Sequence, residues 1–276
     1  MEKKPKILVI DIETAPILAS VWGLFDQNVG LPMIERDWFI LSYSAKWLGD
    51  DRIMYHDLRG KDLLSDNVDD SQLLRQVHYL LNESDAVIAH NGDRFDIKKL
   101  KTRFILNGMP PVKKFLTIDT LKVARREFAF TSNTLQYLSN VLVDDPELRK
   151  KKSQKFSGFE LWKECLKDNI EAWEEMKLYN QNDILSLEQV YYKMRPWMMN
   201  HPNVALMGNE LPDVPTCRKC GSTEVIKRGV RLTPNYYRQE WQCKDCGGYM
   251  STPLQLPDSK EERKEIQIKK RNVMGN

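Results

Sequence analysis

The sequence predicts an α/β fold in which helices flank a mixed sheet, followed by a small cysteine-rich domain near the C-terminal end. Three observations support this prediction. Strand-like and helical segments alternate over the first 128 residues, only helical segments follow up to Pro196, and two Cys-x-x-Cys pairs lie after residue 214. Alternating strands and helices favour a layered α/β sheet. We expect domains at 1–198 and 215–253, a proline-containing linker at 199–214 and a charged tail at 254–276.

The first strands are predicted to form an antiparallel meander. Residues 6–14 begin with consecutive apolar side chains, several of them β-branched, which is typical of a buried strand. Residues 38–47 and 52–58 are two further strand candidates, and the turn-forming Gly-Asp-Asp sequence at 49–51 favours a hairpin between them. Two later strands are expected at 85–90 and 115–119.

Helical periodicity is found between and after these strands. Apolar residues at helical spacing predict helices at 71–82, 96–106, 120–128 and 134–143. Ser-x-x-Glu at 157–160 and Asp-x-x-Glu at 168–171 resemble capping boxes, because each offers a side-chain acceptor and a reciprocal carboxylate. They predict the starts of two more helices, and a last helix is expected from about residue 181 to Met194.

The composition predicts a folded protein with a sizeable core. Of 276 residues, 41% are hydrophobic and 9% are aromatic, which excludes wholesale disorder. The apolar run at 7–10 is interrupted by Asp11 and Glu13 and is too short for a signal-peptide core or a membrane span. We therefore expect a soluble, cytoplasmic protein with no membrane partner.

Positive charge is concentrated near the C-terminal end. The net charge of the chain is +3, yet residues 215–276 contain 13 Lys and Arg against 7 Asp and Glu. Such a surplus favours contact with a polyanion, although residues 260–271 also fit a solvated tail. A second basic run at 149–155 lies in a predicted loop, where it either guides a nucleic acid or is simply solvated.

Two carboxylates end the first predicted strand. Asp11 and Glu13 are two positions apart, so their side chains leave the strand on the same face. They repel each other unless a cation lies between them, and oxygen ligands of this kind suit Mg²⁺ or Mn²⁺. An isolated Asp-x-Glu also occurs at exposed strand ends.

A third carboxylate follows a later strand. In the Asn-Gly-Asp-Arg-Phe-Asp sequence at 91–96, a strand ends and a helix starts at about Asp96, near the sheet edge where active sites gather in α/β proteins. Asp96 also fits the role of a helix cap. Asp93 is the alternative carboxylate in this loop.

A tyrosine and a fourth carboxylate lie on the last predicted helix. Tyr179 and Asp183 are four residues apart and therefore share one helix face. Separately, they fit a half-buried aromatic residue and an exposed helical aspartate.

The three features, in this order, resemble the DEDD (DnaQ-like) exonucleases, which have a ribonuclease H-like fold. Tyr179 places the resemblance with the DEDDy branch, which includes the proofreading domains of family B DNA polymerases and ribonuclease D. The resemblance covers residues 6–194. Because only about 80 residues follow Met194, we expect no polymerase domain behind the nuclease.

The resemblance implies a two-metal 3′→5′ exonuclease. Asp11, Glu13 and Asp183 would hold one Mg²⁺ or Mn²⁺, Asp11 would also reach a second, and Asp96 would help directly or through water. Two such ions clamp an in-line phosphodiester displacement, and Tyr179 would position the attacking water. Single-stranded DNA ends are the expected substrate. RNA, a non-catalytic binding module and a strand-transfer enzyme are the alternatives.

Four of the five cysteines form two pairs with 22 residues between them, namely Cys217, Cys220, Cys243 and Cys246. This spacing indicates one structural Zn²⁺, because each pair supplies two thiolates to a tetrahedral site. Gly221 and Gly247 follow the pairs and suit the tight turns that such a site needs. Cys165 is expected to be a buried, apolar residue.

The segment between the cysteine pairs interleaves cations with aromatic residues, a pattern that suits phosphate contact and base stacking. Packing of a small domain explains part of the same pattern. Residues 217–249 resemble zinc ribbons, which bind DNA, RNA or protein, so a replication or repair protein is a possible partner. The residues expected to contact nucleic acid are Asn91, Lys227, Arg228, Arg231, Tyr237 and Arg238.

Overall fold

The computed structural model describes residues 5–151, 153, 155–207, 214–232 and 237–254. Part of the expected linker, residues 152 and 154 of the basic run, residues 233–236 between the cysteine pairs and nearly all of the expected tail lie outside these residues. The chain divides into two compact units, one at Lys6–Lys193 and one formed by Met1–Pro5 and Met194–Asn276.

A five-stranded mixed sheet forms the centre of the larger unit. Its strands lie in the order β5-β4-β1-β6-β7, with β1 antiparallel to β4 and parallel to β6. A short hairpin, β2–β3, lies outside this sheet. The strands are β1 (Ile7–Thr14), β2 (Leu18–Ala19), β3 (Ile34–Arg36), β4 (Ile40–Trp47), β5 (Met54–Asp57), β6 (Ala86–Ala89) and β7 (Leu116–Asp119).

The apolar first half of β1 explains its central position. Leu8, Val9 and Ile10 are completely buried between the two neighbouring strands and the flanking helices. Consecutive apolar residues of this kind are typical of strands covered on both faces. The predicted meander of the first three long strands and the predicted mixed α/β sheet are confirmed.

Among the described residues, six α-helices complete the fold of the larger unit. The first buries its apolar face, including Leu74 and Val77, and the last buries Trp173 and Met176 in the same core. None of the described helices combines the length and hydrophobicity that a transmembrane span requires. The helices are α1 (Ser71–Glu83), α2 (Asp96–Leu106), α3 (Thr120–Glu127), α4 (Leu135–Leu142), α5 (Glu160–Leu166) and α6 (Ile170–Met194).

Both predicted capping boxes are wrong. Helix α5 begins at Glu160 with Phe159 at its N-cap, and Ser157 contributes only its backbone oxygen, which accepts from the Glu160 amide. At α6 the cap is Asn169, whose Oδ1 accepts from the Glu171 amide at 3.0 Å. The carboxylate of Asp168, which was expected to cap α6, instead accepts hydrogen bonds from other parts of the chain.

Asp168 has a positive φ of 57°. Its Oδ1 accepts hydrogen bonds from the Gly60 amide and from Trp173 Nε1, both at 2.9 Å. The separate last helix expected from residue 181 is also wrong, since α6 continues without a break from Ile170 to Met194. One helix therefore joins the buried Trp173 to the residues of the predicted Tyr-x-x-x-Asp motif.

The smaller unit contains a three-stranded antiparallel sheet in the order β10-β9-β8. Its strands are β8 (Val225–Leu232), β9 (Tyr237–Cys243) and β10 (Tyr249–Pro253). Residues of the expected linker belong to this unit and form a short 3-10 turn at Val204–Leu206, where the Val204 amide donates to the Arg218 carbonyl. The predicted small C-terminal domain built on four cysteines is confirmed.

Candidate active site

Three carboxylates of the larger unit meet at the C-terminal end of β1. Asp11, Glu13 and Asp183 each offer an oxygen within 4.8 Å of the other two. Alternation along β1 turns the first two to one face. Helix α6 brings Asp183 to the same point, where its side chain is only 4% exposed.

Asp96 lies against this group without belonging to it. Its side chain is buried at the first residue of α2, and its Oδ1 accepts a hydrogen bond from the Ile12 amide at 3.2 Å. Asp93 instead pairs with Lys122 at 2.5 Å on the surface. Of the two carboxylates in this loop, Asp96 is therefore the one placed beside β1.

The electrostatics of the centre disfavour full ionisation. Burial raises the pKa of Asp11 well above its ordinary range, and the nearby charges of Glu13, Asp96 and Asp183 raise it further. Burial, followed by repulsion from Asp183, raises the pKa of Glu13 to about 8. Burial is also the main cause that raises the pKa of Asp96 to about 7. Clustered carboxylates of this kind become stable as anions when cations bind between them.

An unpaired acceptor supports a metal site at this point. Asp183 Oδ1 is buried and has no hydrogen-bond partner among the described residues. A buried carboxylate oxygen without a donor is costly, and a divalent cation would satisfy it. The all-oxygen donor set of Asp11, Glu13 and Asp183 suits Mg²⁺ or Mn²⁺.

Lys150 is a member of the centre that the sequence did not reveal. Its Nζ donates to Tyr179 Oη at 3.0 Å and to Asp183 Oδ2, and it lies 4.5 Å from the centroid of the Tyr179 ring. Burial lowers the pKa of the lysine, but the combined attraction and hydrogen bonds of Asp183 and Tyr179 outweigh this effect, so its pKa is raised. Lys150 belongs to the basic run interpreted as a guiding loop. Among the described residues of that run, it is the one that reaches the carboxylates.

Two further side chains hold the carboxylates in place. Asn180 is completely buried, and its Nδ2 donates to Asp11 Oδ2 at 2.5 Å while its Oδ1 accepts from Ser42 Oγ at 3.4 Å. Trp162 Nε1 donates to Glu13 Oε2 at 3.2 Å. No sequence signal identified Asn180 or Trp162, because their roles depend on contacts between distant parts of the chain.

Tyr179 is half-buried beside these groups. Its ring packs edge to face against Trp162, with centroids 5.9 Å apart. Burial and the neighbouring Asp183 raise its pKa to about 12. The phenol is therefore protonated at neutral pH, and its hydroxyl can donate a hydrogen bond while it accepts one from Lys150.

The four paired cysteines form a second cluster, in the smaller unit. Cys217 Sγ lies 3.6 Å from Cys246 Sγ, and Cys220 Sγ lies 3.6 Å from Cys243 Sγ. Hydrogen bonds from neighbouring thiols lower the pKa of Cys217, and hydrogen bonding to the Cys217 sulfur raises the pKa of Cys220. Four sulfurs this close are compatible with Zn²⁺.

The glycines after each pair adopt the backbone that these turns require. Gly221 and Gly247 have φ values of 80° and 73°, and each amide donates to the carbonyl of the first cysteine of its own turn. Other residues are strained at such φ values. Cys165 is completely buried, as predicted.

Most of the predicted nucleic-acid-binding residues of this unit already have intramolecular contacts. Arg238 Nε donates to Ser251 Oγ and Arg228 Nε to Gln242 Oε1, both at 2.9 Å. Lys227 lies over the Trp241 ring at 5.5 Å. Arg231 is exposed, and Tyr237 is half-buried.

The predicted Asn91 lies in the larger unit, in the turn before α2. It has a positive φ of 66°, and its amide donates to Asp119 Oδ1 at 3.0 Å. The turn is therefore anchored to the end of β7. Asn91 also lines a cleft of about 250 Å³ together with arginine and lysine side chains.

The mixed sheet and its carboxylate centre define an α/β protein with an acidic site that is compatible with divalent metal ions. A family model described as the RNase H superfamily matches residues 53–195, just over half of the chain. The protein belongs to the RNase H superfamily.

Comparison with solved structures gives a similar chain at low sequence identity. This is a family B DNA polymerase from the hyperthermophilic archaeon Pyrobaculum calidifontis, with 14% identity and a TM-score of 0.48. The similarity covers 71% of this chain and 26% of the polymerase chain. Comparison with curated proteins gives no match.

Proposed function

We propose that this protein is a metal-dependent 3′→5′ exonuclease that hydrolyses phosphodiester bonds at single-stranded DNA ends. The observation that carries the proposal is the convergence of Asp11, Glu13 and Asp183 around the unpaired Asp183 Oδ1. The direction of digestion and the choice of DNA come from the resemblance to DEDDy exonucleases.

The carboxylates would hold two Mg²⁺ or Mn²⁺ ions. Asp11, Glu13 and Asp183 are the ligands, and Asp96 contributes directly or through water. Bound ions of this kind activate a water molecule and stabilise the leaving 3′ oxygen. Asn180 and Trp162 keep two of the ligands oriented through their hydrogen bonds to Asp11 and Glu13.

Tyr179 would position the attacking water. Because its pKa of about 12 keeps the phenol protonated, it orients the water by hydrogen bonding and does not remove a proton. Lys150 stabilises the carboxylate centre before metal binds, since its ammonium lies on Asp183. We also propose that the four cysteines hold one Zn²⁺ and that the smaller unit adds a grip on nucleic acid or on a replication or repair protein.

A digestion assay tests this function. The purified protein is incubated with matched single-stranded DNA and RNA labelled at the 5′ end, with Mg²⁺, with Mn²⁺ or with neither. We expect a metal-dependent ladder of shortened, still-labelled DNA products. A ladder only from RNA would show that the substrate is RNA. Immediate release of the labelled nucleotide would show that digestion starts at the 5′ end. Cleavage of neither strand would contradict the proposal.

A further inference from the structure

A strongly basic surface lies beside the carboxylate centre, on the side of the sheet that ends in β7. Residues 91–127 contain ten Lys and Arg against four Asp and Glu, a net charge of +6. This contrasts with the part of the chain before residue 215, which is negative overall. We call this region the α2–α3 surface and define it by Arg94, Lys98, Lys101, Lys114, Lys122 and Arg125.

The cations of the α2–α3 surface form rows on two helices. Arg94, Lys98 and Lys101 follow one another at spacings of four and three, which places them along one face of α2 and the turn before it. Lys122 and Arg125 lie three apart on α3. Arg94, Lys122 and Arg125 line one cleft of about 250 Å³.

A second cleft continues the surface along α2. Lys98, Lys101 and Lys114 line this space of about 380 Å³, and Asp93 lines it as well. Asp93 is also the residue that pairs with Lys122 of the first cleft. The two clefts therefore lie next to each other and form one basic track.

Most of this charge is not neutralised within the protein. Lys122 pairs with Asp93, but no acidic side chain of the described residues lies within 4 Å of the other five cations. Those five are Arg94, Lys98, Lys101, Lys114 and Arg125, and all are exposed. Clustered like charges repel one another, so a polyanion that binds across them gains favourable energy.

The surface begins at the carboxylate centre. Asp96 is the first residue of α2 and accepts from the Ile12 amide of β1, and Arg94 is only two residues before it. Asp119 fixes the intervening turn through the amides of Asn91 and Asp93. From Asp96 to Lys101 the helix rises about 7.5 Å, roughly two phosphate spacings along one strand of a B-form helix.

We propose that the α2–α3 surface binds the phosphate backbone of a DNA strand beyond the nucleotide at the carboxylate centre. This inference rests on the proposed function, because it assigns the surface to the same substrate. Cations in open clefts at this spacing suit successive phosphates and do not require a particular base sequence. The surface thus gives the enzyme its affinity for long strands.

The test compares two triple variants with the same change in charge. Lys98→Gln/Lys101→Gln/Arg125→Gln neutralises the α2–α3 surface. Arg52→Gln/Arg75→Gln/Lys167→Gln neutralises three exposed cations elsewhere on the same unit. Binding of a fluorescein-labelled DNA strand of about 30 nucleotides is measured by anisotropy over a KCl series without Mg²⁺ or Mn²⁺. Hydrolysis is then measured for that strand and for a dinucleotide, whose single phosphodiester is the scissile one.

We expect the surface variant to bind the long strand about tenfold more weakly at low salt, with a salt slope reduced by about two. Its KM for the long strand should rise by a similar factor while kcat and dinucleotide hydrolysis stay unchanged. The control variant should bind and hydrolyse the long strand as the wild type does. The inference would be overturned if both variants bound the long strand with equal affinity. It would also be overturned if the surface variant lost hydrolytic activity equally on the long strand and on the dinucleotide.

The same experiment separates this inference from the proposed function. Suppose that the wild type binds the long strand, that the surface variant does not, and that neither protein hydrolyses it. The assignment of the surface is then correct and the nuclease proposal is wrong. If the wild type hydrolyses the strand and the surface variant behaves like the control, the nuclease proposal is correct and the surface assignment is wrong.

Discussion

Asn180 Nδ2 donates a 2.5 Å hydrogen bond to Asp11 Oδ2 and thereby links α6 to β1 at the centre of the sheet. The amide oxygen of the same side chain accepts from Ser42 on β4, so the orientation of the amide is fixed from both ends. A carboxylate oriented in this way presents its remaining lone pairs in a defined direction. The contact thus couples the position of Asp11 to the helix that carries Asp183.

Asn180→Ala should weaken metal binding. Loss of a hydrogen bond that orients a metal ligand typically lowers affinity or activity about 10- to 100-fold. Titration with Mn²⁺ followed by electron paramagnetic resonance measures the affinity. Gln181→Ala on the same helix is the control, and equal Mn²⁺ affinity in both variants would show that Asn180 does not orient Asp11 for binding.

Tyr179→Phe should lower kcat by about 10- to 100-fold, because the attacking water loses its positioning contact. Mn²⁺ affinity should stay within a factor of about two of the wild-type value, since we propose carboxylates and not the phenol as metal ligands. Single-turnover hydrolysis and the same titration measure the two quantities. A large loss of Mn²⁺ affinity would instead assign the tyrosine to the metal site.

The metal-free protein should become less stable as the pH rises. The pKa of Glu13 is raised from about 4.5 to about 8 in the folded state, so the folded protein retains a proton that the unfolded chain loses. The contribution of Glu13 to stability is therefore largest below pH 4.5 and is lost progressively up to about pH 8.

Glu13→Gln should remove this penalty while abolishing activity. Without Mg²⁺ or Mn²⁺, the variant should melt at a higher temperature than the wild type at pH 8 and at a similar temperature at pH 4.5. Thermal unfolding in chelator-free buffer retains the proposed zinc. A variant that is less stable than the wild type at pH 8 would show that Glu13 is not a protonated, buried group.

The sequence predicted most of the fold because its regular elements are long and periodic. The expected helix at 96–106 coincides with α2, and the strand at 85–90 contains β6. The hairpin of β2 and β3 was missed because strands of two and three residues have no detectable periodicity. The second capping box failed because Asp168 accepts hydrogen bonds from Gly60 and Trp173, contacts that the local sequence does not report.

The part of the candidate site that could be predicted is the part in which spacing along the sequence determines which side chains share a face. Asp11 and Glu13 share a strand face, and Asp183 meets them as the resemblance implied. Asn180 and Lys150 were missed for a physical reason. Asn180 lies 169 residues from its partner Asp11, and Lys150 lies 33 residues from Asp183, so only the tertiary fold reveals these contacts.

Cys243→Ser should release the zinc that we assign to the smaller unit. A serine hydroxyl is a poorer ligand than a thiolate, and loss of one ligand opens the tetrahedral site. Zinc content by mass spectrometry should fall, and binding to long strands should weaken more than dinucleotide hydrolysis slows. Cys165→Ser changes a cysteine outside the cluster and serves as the control. Unchanged zinc content in Cys243→Ser would contradict the assignment.

Hydrolysis of single-stranded DNA by the wild type, Asp183→Asn and Asp93→Asn tests most sharply whether the carboxylate centre is the active site of a nuclease. Asp183 belongs to the carboxylate centre, whereas Asp93 pairs with Lys122 on the surface. We expect Mg²⁺-dependent hydrolysis by the wild type and Asp93→Asn, and a loss of about 10³-fold or more in Asp183→Asn. If Asp183→Asn hydrolysed the strand at the wild-type rate, Asp183 would not be part of the active site.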